Sequence, residues 1–119
     1  MAVQEKFKFV TKPWGGYLCL EKSSTYWLKK LFVKKGEQLS LQSHKGRFEL
    51  WVVLKGKASV QKGTSSSLLQ KGDFIKINKK EKHRILGVTD TILLEAAFGR
   101  VNEEDIIRYE DKYDRIKKI

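Results

Sequence analysis

The chain of 119 residues has one cysteine, Cys19, and one proline, Pro13. A single thiol excludes an internal disulfide framework and any cysteine-rich zinc finger. No window approaches the run of about 18 apolar residues that spans a bilayer, and the N-terminus lacks the apolar stretch of a signal peptide. The expectation is a soluble, cytoplasmic protein with no membrane partner. Arginine is scarce as well, with five residues (Arg47, Arg84, Arg100, Arg108 and Arg115) among 25 Lys+Arg, against 14 Asp+Glu. The net charge of +11 therefore rests on lysines, which come as scattered pairs such as Lys29-Lys30, Lys34-Lys35 and Lys79-Lys80. The arginine-rich stripe with interleaved aromatics that marks nucleic-acid binding is missing. Solvated lysines serve solubility and can steer small anions.

What the chain does have is enough apolar residue for one core, 40% of the composition, and a length that makes residues 1–119 a single domain. Short apolar runs recur about every ten residues. They predict strands over residues 6–10, 16–21, 26–33, 38–42, 48–54, 57–61, 65–69, 74–77, 82–86 and 91–98. Turn signals such as Lys35-Gly36-Glu37, Lys55-Gly56 and Lys71-Gly72-Asp73 separate them. Many short strands at this spacing predict an all-β sandwich or barrel. The tail reads differently. Asn102 can cap a turn that opens with Glu103, Glu104 and Asp105, which predicts a short C-terminal helix. The run Phe48-Glu49-Leu50-Trp51-Val52-Val53-Leu54 is apolar on both faces apart from Glu49, so both faces need a cover. The barrel interior is one cover; the other is the N-terminal strands or, as favoured here, a second copy in a homodimer.

The two histidines, His44 and His83, carry the chemistry. Strand alternation puts His44 and Gln42 on one face. Glu49 begins the next strand and can face the same way, while His83 opens a later strand after the polar turn Asn78-Lys79-Lys80-Glu81. If the sheet rolls into a barrel, two imidazoles, a carboxylate and an amide oxygen make a shell for one divalent ion, with zinc, manganese, iron, cobalt and nickel all acceptable to such mixed donors.

The order of these residues resembles the cupin family in both of its signature segments. The first is matched at every interval by Gly36, Gln42, His44, Glu49 and Gly56. In the second, Gly72 and His83 hold their places, while Asn78 stands for the usual proline and Lys80 for the usual glycine. The resemblance implies a double-stranded β-helix, or jelly roll, with Gln42, His44, Glu49 and His83 as metal ligands.

A closer resemblance covers nearly the whole chain. The segments Lys12-Pro13-Trp14-Gly15-Gly16-Tyr17, Leu39-Ser40-Leu41-Gln42-Ser43-His44, Arg47-Phe48-Glu49-Leu50-Trp51 and Glu103-Glu104-Asp105-Ile106-Ile107-Arg108 are similar, in order, to those of the type II mannose-6-phosphate isomerase cupins. Two departures stand out. A run of three histidines in that family is His44-Lys45-Gly46 here, and a histidine after the glutamate is Leu50. The resemblance implies metal-dependent interconversion of a phosphorylated aldose and ketose, or a non-catalytic metal-binding cupin that holds a sugar or other small anion. It implies Arg47 and Arg108 as contacts to a small phosphorylated sugar, since guanidinium matches phosphate in two places at once. Arg47 is also a catalytic candidate. Glu95, a lone carboxylate in the apolar strand Ile92-Leu93-Leu94-Glu95-Ala96-Ala97, is a candidate proton carrier. The glycine-rich nucleotide loop of the guanylyltransferases that carry such a cupin is absent from these 119 residues.

Overall fold

The computed structural model describes residues 8–116, so residues 6 and 7 of the first expected strand lie outside it. The chain forms β1 (Phe9–Lys12), β2 (Gly15–Lys22), β3 (Tyr26–Val33), β4 (Leu41–Ser43), β5 (Arg47–Lys55) and β6 (Lys57–Lys62). Then follow β7 (Ser65–Gln70), β8 (Phe74–Ile77), β9 (His83–Gly87), β10 (Thr91–Gly99) and β11 (Ile107–Glu110). A six-stranded sheet, ordered β1-β2-β3-β10-β5-β8, faces a five-stranded one, ordered β11-β4-β9-β6-β7. Every pairing is antiparallel and the chain crosses repeatedly between the sheets. This is the expected jelly roll. Among the described residues no helix is long and apolar enough to cross a membrane.

Alternation sets which side chains enter the barrel. In β3 these are Trp27, Lys29, Leu31 and Val33; in β5, Arg47, Glu49, Trp51 and Val53; in β10, Thr91, Leu93, Glu95 and Ala97. Leu31, Val33, Trp51, Val60, Ile85 and Leu93 belong to the shared core. Each such side chain removed from water contributes about 1.5–3 kcal/mol. The β5–β6 turn depends on Gly56, whose φ is +85° and whose added Cβ would lie 2.2 Å from the Asp90 carbonyl oxygen. No other residue fits there.

The outer face of β5 is not covered by the N-terminal strands, because β1 and β2 extend the same sheet edge rather than lying over it. Phe48, Leu50 and Val52 remain half-buried, and Phe48 stacks on Phe98 of β10 with ring centroids 5.4 Å apart.

The expected C-terminal helix does not form. Asn102 does begin a turn, its side-chain oxygen accepting from the Glu104 N–H at 2.9 Å. The Asp105 carboxylate then takes the N–H groups of Lys45 and Gly46 at 2.9 and 2.8 Å, which pins the chain across the barrel mouth. Beyond it, Ile107 and Arg108 pair with Ser43 and Gln42 of β4. The edge of β4 offers unpaired backbone groups, and β-branched isoleucines suit a strand better than a helix.

Candidate metal centre

Three of the four expected ligands come from the five-stranded sheet. Gln42 in β4 is directly opposite His83 at the start of β9, so their side chains share a face. His44 follows β4 immediately, two positions beyond Gln42. Glu49 comes from the inner face of β5 in the opposing sheet. His44, Glu49 and His83 are all buried, with ligand atoms within 4.8 Å of one another. His44 Nε2 lies 3.5 Å from Glu49 Oε2, and His83 Nε2 lies 3.9 Å from Glu49 Oε1. Donors bound to one ion at about 2.1 Å sit roughly 3–4 Å apart, so the spacing suits a shared cation. Gln42, also buried, lines the same cavity of about 150 Å³.

Each imidazole is oriented from behind. His44 Nδ1 lies 2.7 Å from the Asp105 carbonyl oxygen and His83 Nδ1 lies 2.9 Å from that of Glu81. A carbonyl only accepts, so each Nδ1 carries the proton and each Nε2 turns a lone pair toward Glu49. His83 Nε2 is buried without a hydrogen-bond partner among the described residues. A buried lone pair facing a carboxylate and a second imidazole lone pair is a donor set that suits a divalent cation. Burial pushes His44 down to about 4 and lowers His83 as well, so both are neutral and ligand-competent at neutral pH. Burial pulls the Glu49 carboxyl upward, but the surrounding His44, Arg47 and His83 nitrogens and the Arg47 hydrogen bond outweigh it and hold Glu49 below the usual carboxylate range.

The turn that delivers His83 shows what the two departures from the second cupin segment do. Lys80, where a glycine is usual, adopts φ 66°, and its N–H donates to the His44 carbonyl oxygen at 2.6 Å. The chain accepts left-handed strain at a lysine to tie the two histidine-bearing segments together. Asn78 sits where proline is usual and keeps an N–H, which donates to Glu81 Oε1 at 3.0 Å.

Arg47 is buried and held on four sides. Its Nε donates to Glu49 Oε2 at 2.8 Å, Nη1 donates to the Asn102 carbonyl at 2.9 Å, Nη2 lies 3.3 Å from His44 Nε2, and its guanidinium lies 4.5 Å over the Trp27 ring. Glu95 is buried beside this group and accepts from Trp27 Nε1 at 2.9 Å. Burial, reinforced by the negative charge of Glu49, pushes its carboxyl up to about 7. Arg108, opposite Gln42 on β11, lines the cavity from its rim. Arg84, by contrast, points away from the centre, to the Leu39 carbonyl and Glu110.

Two participants escaped the sequence reading. Lys29, taken as half of a solvated pair, is buried, donates to both oxygens of Glu103 at 2.9 Å and lies 3.8 Å over the Trp27 ring. Its signal was alternation, since Lys29 lies between Trp27 and Leu31 on one face of its strand. Asp105, taken as part of a helix, supplies the carbonyl behind His44; nothing local in the sequence marks that role. Of the positions where the sequence departs from the resemblance, Lys45 is exposed and Leu50 faces outward from β5, so neither side chain points to the centre.

Comparison with known proteins agrees with this architecture. A cupin described as RmlC-like from Shewanella frigidimarina superposes with a TM-score of 0.77 at 18% identity, over 87% of this chain and 93% of that one. Among curated proteins, the xanthan biosynthesis protein XanB of Xanthomonas campestris is 36% identical over 109 residues, 89% of this chain and 23% of the relative. The mannose-1-phosphate guanylyltransferase ManC of Salmonella typhimurium is 36% identical over 110 residues, 90% of this chain and 23% of the relative. The chain thus spans under a quarter of these relatives' length. The profile of one family matches residues 2–111, across the whole ligand set and the barrel that holds it, and the chain belongs to that family, described as mannose-6-phosphate isomerase C-terminal.

Proposed function

We propose that this cupin is a metal-dependent isomerase that interconverts a phosphorylated aldose and its ketose, with mannose 6-phosphate the reference substrate. The observation that carries it is the buried His83 Nε2, unpartnered among the described residues and 3.9 Å from Glu49, with the carboxyl of Glu95 in the cavity that Gln42, His44 and Glu49 line. Gln42, His44, Glu49 and His83 would hold one divalent ion. When bound, that ion polarises a sugar carbonyl and stabilises negative charge on adjacent oxygens.

The chain's own groups supply the rest. Aldose–ketose exchange moves a proton between neighbouring carbons, which needs a carboxylate that binds and releases a proton near neutrality. Glu95 has that property, because burial and the field of Glu49 bring its carboxyl up to about 7. The Trp27 N–H fixes one Glu95 oxygen and leaves the other for proton transfer. Arg47 keeps Glu49 ionised and oriented, and places a permanent positive charge beside the reacting oxygens. The barrel wall excludes bulk water from these charges, which strengthens them.

The test is turnover of mannose 6-phosphate by purified protein with and without chelator. Activity that chelator abolishes and zinc, manganese, iron, cobalt or nickel restores supports the reading. Stoichiometric metal with no turnover leaves the second reading, a cupin that binds a sugar or small anion without converting it. A second copy of the chain covering the half-exposed outer face of β5 and β10 completes the proposal, and sedimentation as a monomer at micromolar concentration would remove that part.

A further inference from the structure

The two imidazoles of the centre are held in the same way, but from different distances along the chain. Behind His83 stands Glu81, whose carbonyl accepts from Nδ1 at 2.9 Å while its carboxylate takes the Asn78 N–H at 3.0 Å. Behind His44 stands Asp105, whose carbonyl accepts from Nδ1 at 2.7 Å while its carboxylate takes the N–H groups of Lys45 and Gly46 at 2.9 and 2.8 Å. In each case one acidic residue fixes the ring through its carbonyl and a nearby turn through its carboxylate. Glu81 lies two residues from its histidine and arrives with the turn. Asp105 lies 61 residues from its own. It belongs to residues 100–106, which run between β10 and β11 outside both sheets.

The backbones of the two histidines differ in the same sense. His83 is paired on both sides, with Gln42 and with Lys62, whereas His44 lies just past the end of a three-residue strand. The 100–106 segment is docked on the centre by polar contacts. The Arg100 N–H donates to the Gly46 carbonyl at 2.8 Å, the Asn102 carbonyl accepts from Arg47 Nη1 at 2.9 Å, and the Glu103 carboxylate holds Lys29 Nζ at 2.9 Å. The approach is close: a Cβ at Gly46 would lie 3.1 Å from the Arg100 carbonyl oxygen and 3.2 Å from Asp105 Oδ2. Irregular backbone held by polar contacts opens at lower free energy than the strands of a core.

We propose that Asp105 is a positioning residue of the metal centre, whose docking makes His44 a ligand, so that retention of the ion and closure of the barrel mouth are one event. His83 keeps its orientation whether or not the segment is docked, because its support is local. Linkage makes the effect reciprocal: an ion that requires an oriented His44 also holds the 100–106 segment down. The inference rests on the metal part of the proposed reading and is indifferent to what the centre does with a sugar.

Zinc affinity, read by competition with a chromophoric chelator, tests it in wild type, Asp105→Ala, Asp105→Asn and Glu104→Gln. The urea midpoint of each chelator-treated protein is measured beside it. Asp105→Ala lowers zinc affinity about 10- to 100-fold, the range for losing the support behind a metal-binding histidine. Asp105→Asn keeps one acceptor oxygen and recovers part of the loss. Glu104→Gln, an exposed position on the same segment, leaves zinc affinity unchanged. Two readouts separate positioning from general stability. The visible absorption of the cobalt(II)-loaded protein changes in Asp105→Ala and returns toward the wild type in Asp105→Asn. Zinc slows hydrogen exchange at the Lys45 and Gly46 amides of the wild type and fails to do so in Asp105→Ala. A folded Asp105→Ala with wild-type zinc affinity and cobalt spectrum overturns the inference, as does zinc that leaves those two amides of the wild type unaltered. Wild-type protein that takes up neither zinc nor cobalt rejects the metal reading, and this inference with it; a deficit confined to the variants supports both. If Asp105→Ala melts early, Glu103→Ala decides. It loosens the segment from Lys29 without touching His44, and unchanged zinc affinity there overturns the coupling.

Discussion

The two ends of the barrel interior are built from the same three strands and differ completely in chemistry. At one end, Leu31, Leu93 and Val53 stand in register across β3, β10 and β5, a row with no polar atom. Two residues along, the row is Lys29, Glu95 and Trp51, and two further it is Trp27, Ala97 and Glu49. Period-two alternation preserves the inward direction throughout, so the change from core to site costs no change of backbone. The apolar end has enough buried surface to hold the sheets together, which frees the other end to bury charges that contribute little to stability on their own. The barrel is stabilised at one end and functional at the other.

That division can be broken by mutation. The largest expected effect is on turnover. Glu95→Gln removes the proton carrier and lowers kcat by about 10²–10⁴-fold with metal content unchanged. In the wild type, kcat rises with pH through about 7, because the Glu95 carboxyl is protonated below that and works as a base only when ionised. Glu95→Gln loses this limb; a limb that persists in the variant assigns it to another group. At the opposite end, Leu93→Ala leaves a cavity and costs about 2–5 kcal/mol in chemical denaturation, while metal binding per folded molecule is retained. Equal loss of metal affinity and stability in Leu93→Ala would show that the ends are not separable.

Acid should distinguish the ends more gently. In chelator-treated protein, the folded His44 titrates at about 4, whereas the unfolded one titrates near 6.5. Between those values the unfolded chain binds more protons, so stability falls as pH drops from about 6.5 to 4. The lowered His83 adds to the same trend. Replacing His44 with glutamine flattens that slope, and a slope unaltered by the substitution would point elsewhere. The smallest effect belongs to the turn before His83. Lys80→Gly relieves the left-handed strain at φ 66° and raises stability by about 0.5–1 kcal/mol, read from the denaturation midpoint.

Much of this was legible in the chain because strand alternation and the ligand spacing are local. His44 and Gln42 share a face by counting, and Glu49 follows after one turn. The resemblance singles out Arg47, which lies outside the expected strand 48–54, and Glu95 stands out as a lone carboxylate in an apolar strand. Their inward direction becomes clear once β5 and β10 have bounds and faces. Other features were not local. Asn102 through Ile107 read as a helix start because capping residues and early acids are helix signals, yet the outcome was decided by Asp105 reaching Lys45 and Gly46 some 60 residues away. Lys29 was hidden by composition, since one buried lysine among many exposed ones is visible only once its strand's face is known. Arg108 and Arg115 of the C-terminal stretch and Lys12 at the end of β1 line one cavity, and only the fold brings those two distant segments together.

The central claim is that one divalent cation completes the buried set of Gln42, His44, Glu49 and His83. Elemental analysis of protein purified without added metal, compared with His83→Ala prepared in parallel, tests it most directly. The account predicts about one equivalent of a divalent transition ion per chain in the wild type. In the folded variant it predicts a fall to background. Equal metal content in both proteins, or a wild type that takes up none of zinc, manganese, iron, cobalt or nickel when offered, would contradict it.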